Sequence, residues 1–69
     1  MNVDQLKVHL NYLIDKYISE PEVRHDLTTL IKRAGMPPVK NIMATIESEG
    51  RSIEQMDANL VKDIAFYYL

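Results

Sequence analysis

The apolar residues of this chain recur with a helical period from end to end, and alternation at every second residue is absent. Placed at about 100° per residue, the first run of apolar side chains falls on one arc of a helix. That run consists of Val3, Leu6, Leu10, Leu13, Ile14, Tyr17 and Ile18. The period predicts an all-α fold and argues against a fold built on a sheet.

Three further apolar stripes follow the first, and signals for helix ends separate them. Ser19 and Glu22 have the spacing of a capping box, while Gly35 and the two prolines at 37–38 end a helix and prevent its continuation. A third helix is expected to end at Gly50. Four short helices are therefore predicted, at approximately 3–18, 20–34, 38–49 and 53–68.

Two other positions carry signals for the start of a helix. Asn2 has a side chain that commonly accepts the first free N–H groups of a helix, and it precedes the first stripe. Ser52 and Gln55 repeat the capping-box spacing before the last stripe. We therefore expect the first helix to begin just after Asn2 and the last helix to begin near residue 53.

The length of 69 residues allows a single domain over 1–69. Short helices joined by tight corners favour crossing angles near 50° over angles near 20°, so an orthogonal array is preferred to a short bundle. One interior shared by all four stripes is expected. Its predicted members are Leu6, Leu10, Leu13, Ile14, Tyr17, Val23, Leu27, Leu30, Ile31, Ile42, Met43, Ile46, Ile53, Met56, Leu60 and Ile64, with Met36 also filling a gap.

Composition indicates the cellular compartment in which the chain functions. The net charge is −2 and there are no cysteines, which argues against a general affinity for acidic membranes and fits a reducing compartment. No apolar run approaches the roughly 18 residues that span a bilayer, and the first residues lack the pattern of a signal peptide. The prediction is a cytoplasmic protein without a membrane partner.

The charges are unevenly spread along the chain. Residues 20–40 carry four bases against three acids, whereas residues 41–69 carry two bases against five acids. One part of the molecule should therefore be mildly basic and the other acidic. This asymmetry serves either solubility or the orientation of a partner.

No arrangement of residues in the sequence is typical of a catalytic site. His9 and His25 fall on polar helix faces, and neither has a partner at the spacing of a metal site. Gly35 and Gly50 belong to no phosphate-binding motif. A domain this small should also lack room for a ligand pocket of ~300 Å³ or more. We therefore predict a protein that is not an enzyme, with no cofactor, no metal and no small-molecule substrate.

Several apolar side chains remain outside the predicted core. Val8 and Tyr12 lie opposite the first stripe, and Phe66 lies among polar residues of the last helix. Single exposed apolar residues are normal, but a small domain short of core gains from covering them. The first hypothesis is a protein-interaction module, a small regulator, adaptor or inhibitor that binds another protein, including a second copy of itself. The predicted interface residues are Val8, Tyr12, Phe66 and Tyr68.

The alternative hypothesis is a helix-turn-helix protein that binds DNA through the helix at 38–49. The outward face of that helix carries polar side chains able to contact base edges or phosphates, with two bases before the turn. Glu47 and Glu49 oppose this reading because they repel phosphate. The predicted contacts are Lys32, Arg33, Lys40, Asn41 and Thr45.

Overall fold

The computed structural model describes residues 1–49 and 52–69. Within those residues it contains four helices and no strand, which confirms the predicted all-α class. The helices are α1 (Val3–Tyr17), α2 (Pro21–Lys32), α3 (Val39–Ser48) and α4 (Gln55–Tyr68). Each lies within the range predicted from the sequence. At one or both ends it is shorter than predicted by one or two residues. The predicted stop at Gly50 lies outside the described residues.

Helix α1 is the element against which the other three helices pack. Lys7 donates a hydrogen bond to the carbonyl of Arg33, so the end of α2 lies beside the first half of α1. The N–H of Ser19 donates to the carboxylate of Glu49, so α3 ends where α1 ends. The four helices therefore alternate in direction, and α4 runs antiparallel to α1.

The interior is made by one face of each helix. Leu6, Leu10, Leu13 and Ile14 of α1 are completely buried, and the shortest dimension of the domain is 16 Å. Every helix also carries exposed residues, so each of the four faces solvent as well as the interior. The buried apolar residues are Leu6, Leu10, Leu13, Ile14, Tyr17, Ile18, Leu27, Ile31, Val39, Ile42, Met43, Ile46 and Ile64.

Some of the predicted core lies elsewhere. Met56 and Met36 are exposed, so the prediction that they fill core gaps is wrong, whereas Met43 is buried as expected. Four other predicted core residues are only partly buried against the interior: Val23, Leu30, Ile53 and Leu60. Ile18 and Val39 complete the interior although the predicted core omitted them.

The helix ends also differ from the sequence-based assignment. Asn2 caps α1 as predicted: its side chain accepts from the N–H of Gln5, and the Gln5 side chain accepts from the N–H of Asn2. The two predicted serine capping boxes are absent, because α2 and α4 begin after Glu20 and Glu54 without a side-chain cap. The wrong prediction has a physical reason: Ser19 and Ser52 lie too far before the first helical turn to reach its free N–H groups.

Candidate functional site

The two ends of α4 carry side chains in unusual environments. The first, here called the polar cluster, joins the start of α4 to the end of α1. The second, here called the groove, lies at the other end of α4. The polar cluster consists of Tyr12, Lys16, Tyr17, Glu54 and Asp57.

Asp57 is the centre of the polar cluster, with only 4% of its surface exposed. Its Oδ1 accepts a hydrogen bond from the Tyr12 hydroxyl at 2.8 Å. Its Oδ2 accepts from the Tyr17 hydroxyl and forms an ion pair with Lys16 at 2.8 Å. A buried carboxylate is stable only with such partners, and Asp57 has three.

The remaining polar atoms of the cluster are used within it. Lys16 also contacts the Glu54 carboxylate at 2.8 Å and the Tyr12 hydroxyl at 3.1 Å. The Tyr17 hydroxyl accepts the backbone N–H of Glu54 at 3.1 Å, which satisfies a group at the start of α4. The cluster thereby satisfies one N–H group at the start of α4, a helix that has no side-chain cap.

The pKa shifts in the polar cluster favour its ion pair. Hydrogen bonds from Lys16 and Tyr17 lower the pKa of Asp57 below its ordinary value, and bonds to Asp57 and Glu54 raise the pKa of Lys16. Burial, followed by the bond to Asp57, raises the pKa of Tyr17. General acid–base chemistry at neutral pH needs the opposite shifts, so these directions favour a structural role.

The groove lies between the chain that enters α3 and the last turn of α4, with a volume of about 630 Å³. Gly35 has a positive φ of 91°, a conformation that favours glycine and turns the chain toward Pro37 and Pro38. The groove is an open depression at the surface, so the prediction that the domain has no room for a pocket of ~300 Å³ or more without giving up its core stays a prediction. The groove is lined by Met36, Pro37, Pro38, Val39, Lys40, Asn41, Phe66, Tyr67, Tyr68 and Leu69.

Apolar side chains border the groove in exposed positions. Phe66 is 82% exposed, Leu69 63%, and Tyr67 and Met36 more than half. The rings of Phe66 and Tyr67 meet edge to face with centroids 5.2 Å apart, which restricts both rings. Tyr68 is partly buried against the core, and its hydroxyl donates to the carbonyl of Met1 at 2.8 Å. The end of α4 is thus fixed while its outer face remains uncovered.

The four predicted interface residues lie in three different settings. Phe66 and Tyr68 both line the groove. Val8 is exposed in a shallow depression on α1 with His9, and Tyr12 belongs to the polar cluster. Sequence reasoning missed Tyr67, and it assigned Met36 to the core. The sequence signal for Met36 is its position between Gly35 and Pro37, where no helical stripe continues.

The predicted DNA contacts are also placed by the structure. Lys32, Arg33, Lys40 and Asn41 are exposed. Thr45 is half-buried, and its hydroxyl donates to the carbonyl of Asn41 one turn earlier at 2.9 Å. That hydroxyl is therefore bonded within its own helix. The bond gives no support to a contact between Thr45 and a base edge.

Across residues 1–49 and 52–69, no group of three or more histidine or acidic side chains lies close enough together to hold a metal ion. None of the helices in this same part of the chain combines the length and the apolar character that crossing a membrane requires. Comparison with protein-family models, with curated proteins and with solved structures finds no match to this chain. The candidate site is therefore argued from its geometry.

Proposed function

We propose that this chain is a non-enzymatic protein-interaction module, a small cytoplasmic regulator, adaptor or inhibitor, that binds a protein partner at the groove. The observation that carries the proposal is the cluster of exposed apolar side chains at the end of α4. Phe66, Tyr67, Leu69 and Met36 all border one concave surface. Exposed apolar groups gathered around a depression are typical of a protein contact site, and aromatic residues commonly anchor such contacts.

The energetics of these side chains support the same proposal. Removing a large apolar side chain such as Phe66 from water gains roughly 1.5–3 kcal/mol. The fold leaves this gain unused, since Phe66 is 82% exposed. The rings of Phe66 and Tyr67 already restrict one another, so a partner loses less conformational entropy in ordering them.

A selection of random displayed peptides on the immobilised protein tests the proposal. Phe66→Ser should abolish binding of the selected peptides, because it removes the anchor without touching the core. Met56→Ser is the matched control, since Met56 is also 82% exposed on α4 but lies at the opposite end. Sedimentation of all three proteins across concentration examines a second copy as the partner. Peptide binding or self-association that Phe66→Ser abolishes and Met56→Ser preserves supports the proposal. If neither peptide binding nor self-association changes in Phe66→Ser, the proposal is overturned.

A further inference from the structure

The residues that line the groove include one cation and no carboxylate side chain. Lys40 is exposed on the wall formed by the start of α3. Residues 32–41, which lead into and form that wall, contain Lys32, Arg33 and Lys40 and no acidic residue. Residues 59–69, which supply the opposite wall, contain one base and one acid, Lys62 and Asp63. The groove is thus locally basic in a chain whose net charge is −2.

The start of α3 adds to this positive character. Helix α3 has no acidic residue in its first turn and no side-chain cap, and its first turn forms part of the groove wall. The helix dipole places partial positive charge at that end, although Pro38 has no N–H and the N–H of Val39 donates to the carbonyl of Pro37. In α1 and α4, by contrast, Asp4 and Asp57 lie in the first turn.

We propose that the groove binds a peptide segment of another protein in which apolar side chains lie beside carboxylates. This inference rests on the proposed function and names the chemistry of its partner. The apolar side chains of the segment would cover Phe66 and Met36, and its carboxylates would lie toward Lys40 and the start of α3. Charge complementarity of this kind orients a partner and excludes competitors.

The same charges argue against a second copy as the occupant. In a two-fold symmetric dimer both copies use the same patch, and because its lining has no carboxylate side chain, neither Lys40 would find an acidic partner across the interface. Like charges placed together at an interface are unfavourable. The phosphates of duplex DNA would also pair with the basic side chains, but DNA would leave the apolar border of the groove uncovered.

The test starts from the peptides whose binding depends on Phe66. Their sequences should be enriched in Asp and Glu next to aromatic or aliphatic residues. For one such peptide, Lys40→Glu should weaken binding about five- to tenfold, and added salt should weaken binding to the unmodified protein. Lys62→Glu is the matched control, because it makes the same change of charge on α4 outside the groove lining. A peptide with its acids changed to lysine should bind the Lys40→Glu variant better than the unmodified protein.

The outcomes separate this inference from the proposed function. Selected peptides that depend on Phe66 but carry no acids, and that ignore Lys40→Glu, overturn the inference and leave the function standing. Absence of both Phe66-dependent peptide binding and Phe66-dependent self-association overturns both. Dimerisation through the groove, or duplex DNA binding that depends on Lys40 and not on Phe66, also overturns the inference. Circular dichroism of each variant checks that helical content is retained.

Discussion

The two ends of α4 are opposite in chemistry and in the way that chemistry is satisfied. At its start, the carboxylate of Asp57 is buried and bonded to Tyr12, Tyr17 and Lys16. At its end, the aromatic ring of Phe66 is 82% exposed. A buried acid and an exposed aromatic both depart from ordinary partitioning between interior and surface. Only the acid finds its partners within the molecule, so the start of α4 stabilises the fold, whereas its end is the surface that we propose for binding.

The largest expected effect comes from removing the carboxylate of the polar cluster. Asp57→Ala leaves two tyrosine hydroxyls without their acceptor and removes one of the two carboxylates that pair with Lys16. Loss of one member of a buried charged network is strongly destabilising. We expect the melting temperature, measured by circular dichroism, to fall by more than about 10 °C. Asp63→Ala, an exposed acid on the same helix, should remain close to the unmodified protein. Equal melting temperatures for the two variants would contradict the role of the polar cluster.

Stability should fall in acid, and Asp57 should account for part of the fall. Its pKa is lowered in the folded state, so its contribution is complete above the unfolded value of about 3.9 and is lost as the pH falls through the lower folded value. Urea unfolding measured from neutral pH down to acid should show this loss. Asp57→Asn should flatten the pH profile in that window, while Asp63→Asn should leave its slope intact. Profiles of the same slope for both variants would remove Asp57 from the explanation.

A smaller effect should distinguish the two tyrosines of the polar cluster. The buried Tyr17 hydroxyl both donates to Asp57 and accepts the N–H of Glu54, whereas the Tyr12 side chain is 45% exposed. Tyr17→Phe should lower the melting temperature by roughly 5 °C, and Tyr12→Phe should lower it less because water replaces the lost partner. The reverse order would show that the exposed hydroxyl makes the stronger contact.

The smallest effect is expected at the groove. Phe66→Ala should change the free energy of unfolding by no more than about 0.5 kcal/mol, because the residue is 82% exposed. Ile64→Ala, two residues away and completely buried, should cost roughly 2–5 kcal/mol and shows the sensitivity of the chemical denaturation assay. A loss at Phe66 comparable to that at Ile64 would make the ring part of the fold and remove it from the binding surface.

The helical period predicted the four elements because each stripe must face an interior, and α1 illustrates this well. Its predicted core residues Leu6, Leu10, Leu13, Ile14 and Tyr17 are all buried. Helix α4 shows where such reasoning stops. Its inward positions are 57, 60, 61, 64 and 68, which also follow a helical period. The first of them is an aspartate, so the pattern of apolar residues predicted Met56 as the core residue instead.

The candidate site was less accessible to sequence reasoning than the fold. Phe66 could be assigned to the surface because it lies among polar residues of its own helix. Met36 and Lys40 could not be joined to it, since only the packing of α3 and α4 around α1 brings residues 36–41 beside residues 66–69. Partners of the buried Asp57 are likewise separated from it by 40 and 45 positions along the chain.

The wide sequence separation within the polar cluster has a kinetic consequence. Helices α1 and α2 are neighbours along the chain and meet through a short connection, whereas α4 reaches α1 only after a long loop has closed. Contacts that close long loops are expected late on the folding route. Loss of the Asp57 carboxylate should therefore appear in a chevron plot mainly as faster unfolding, with the refolding arm little changed. The cluster would then govern how long the folded molecule persists more than how quickly it forms.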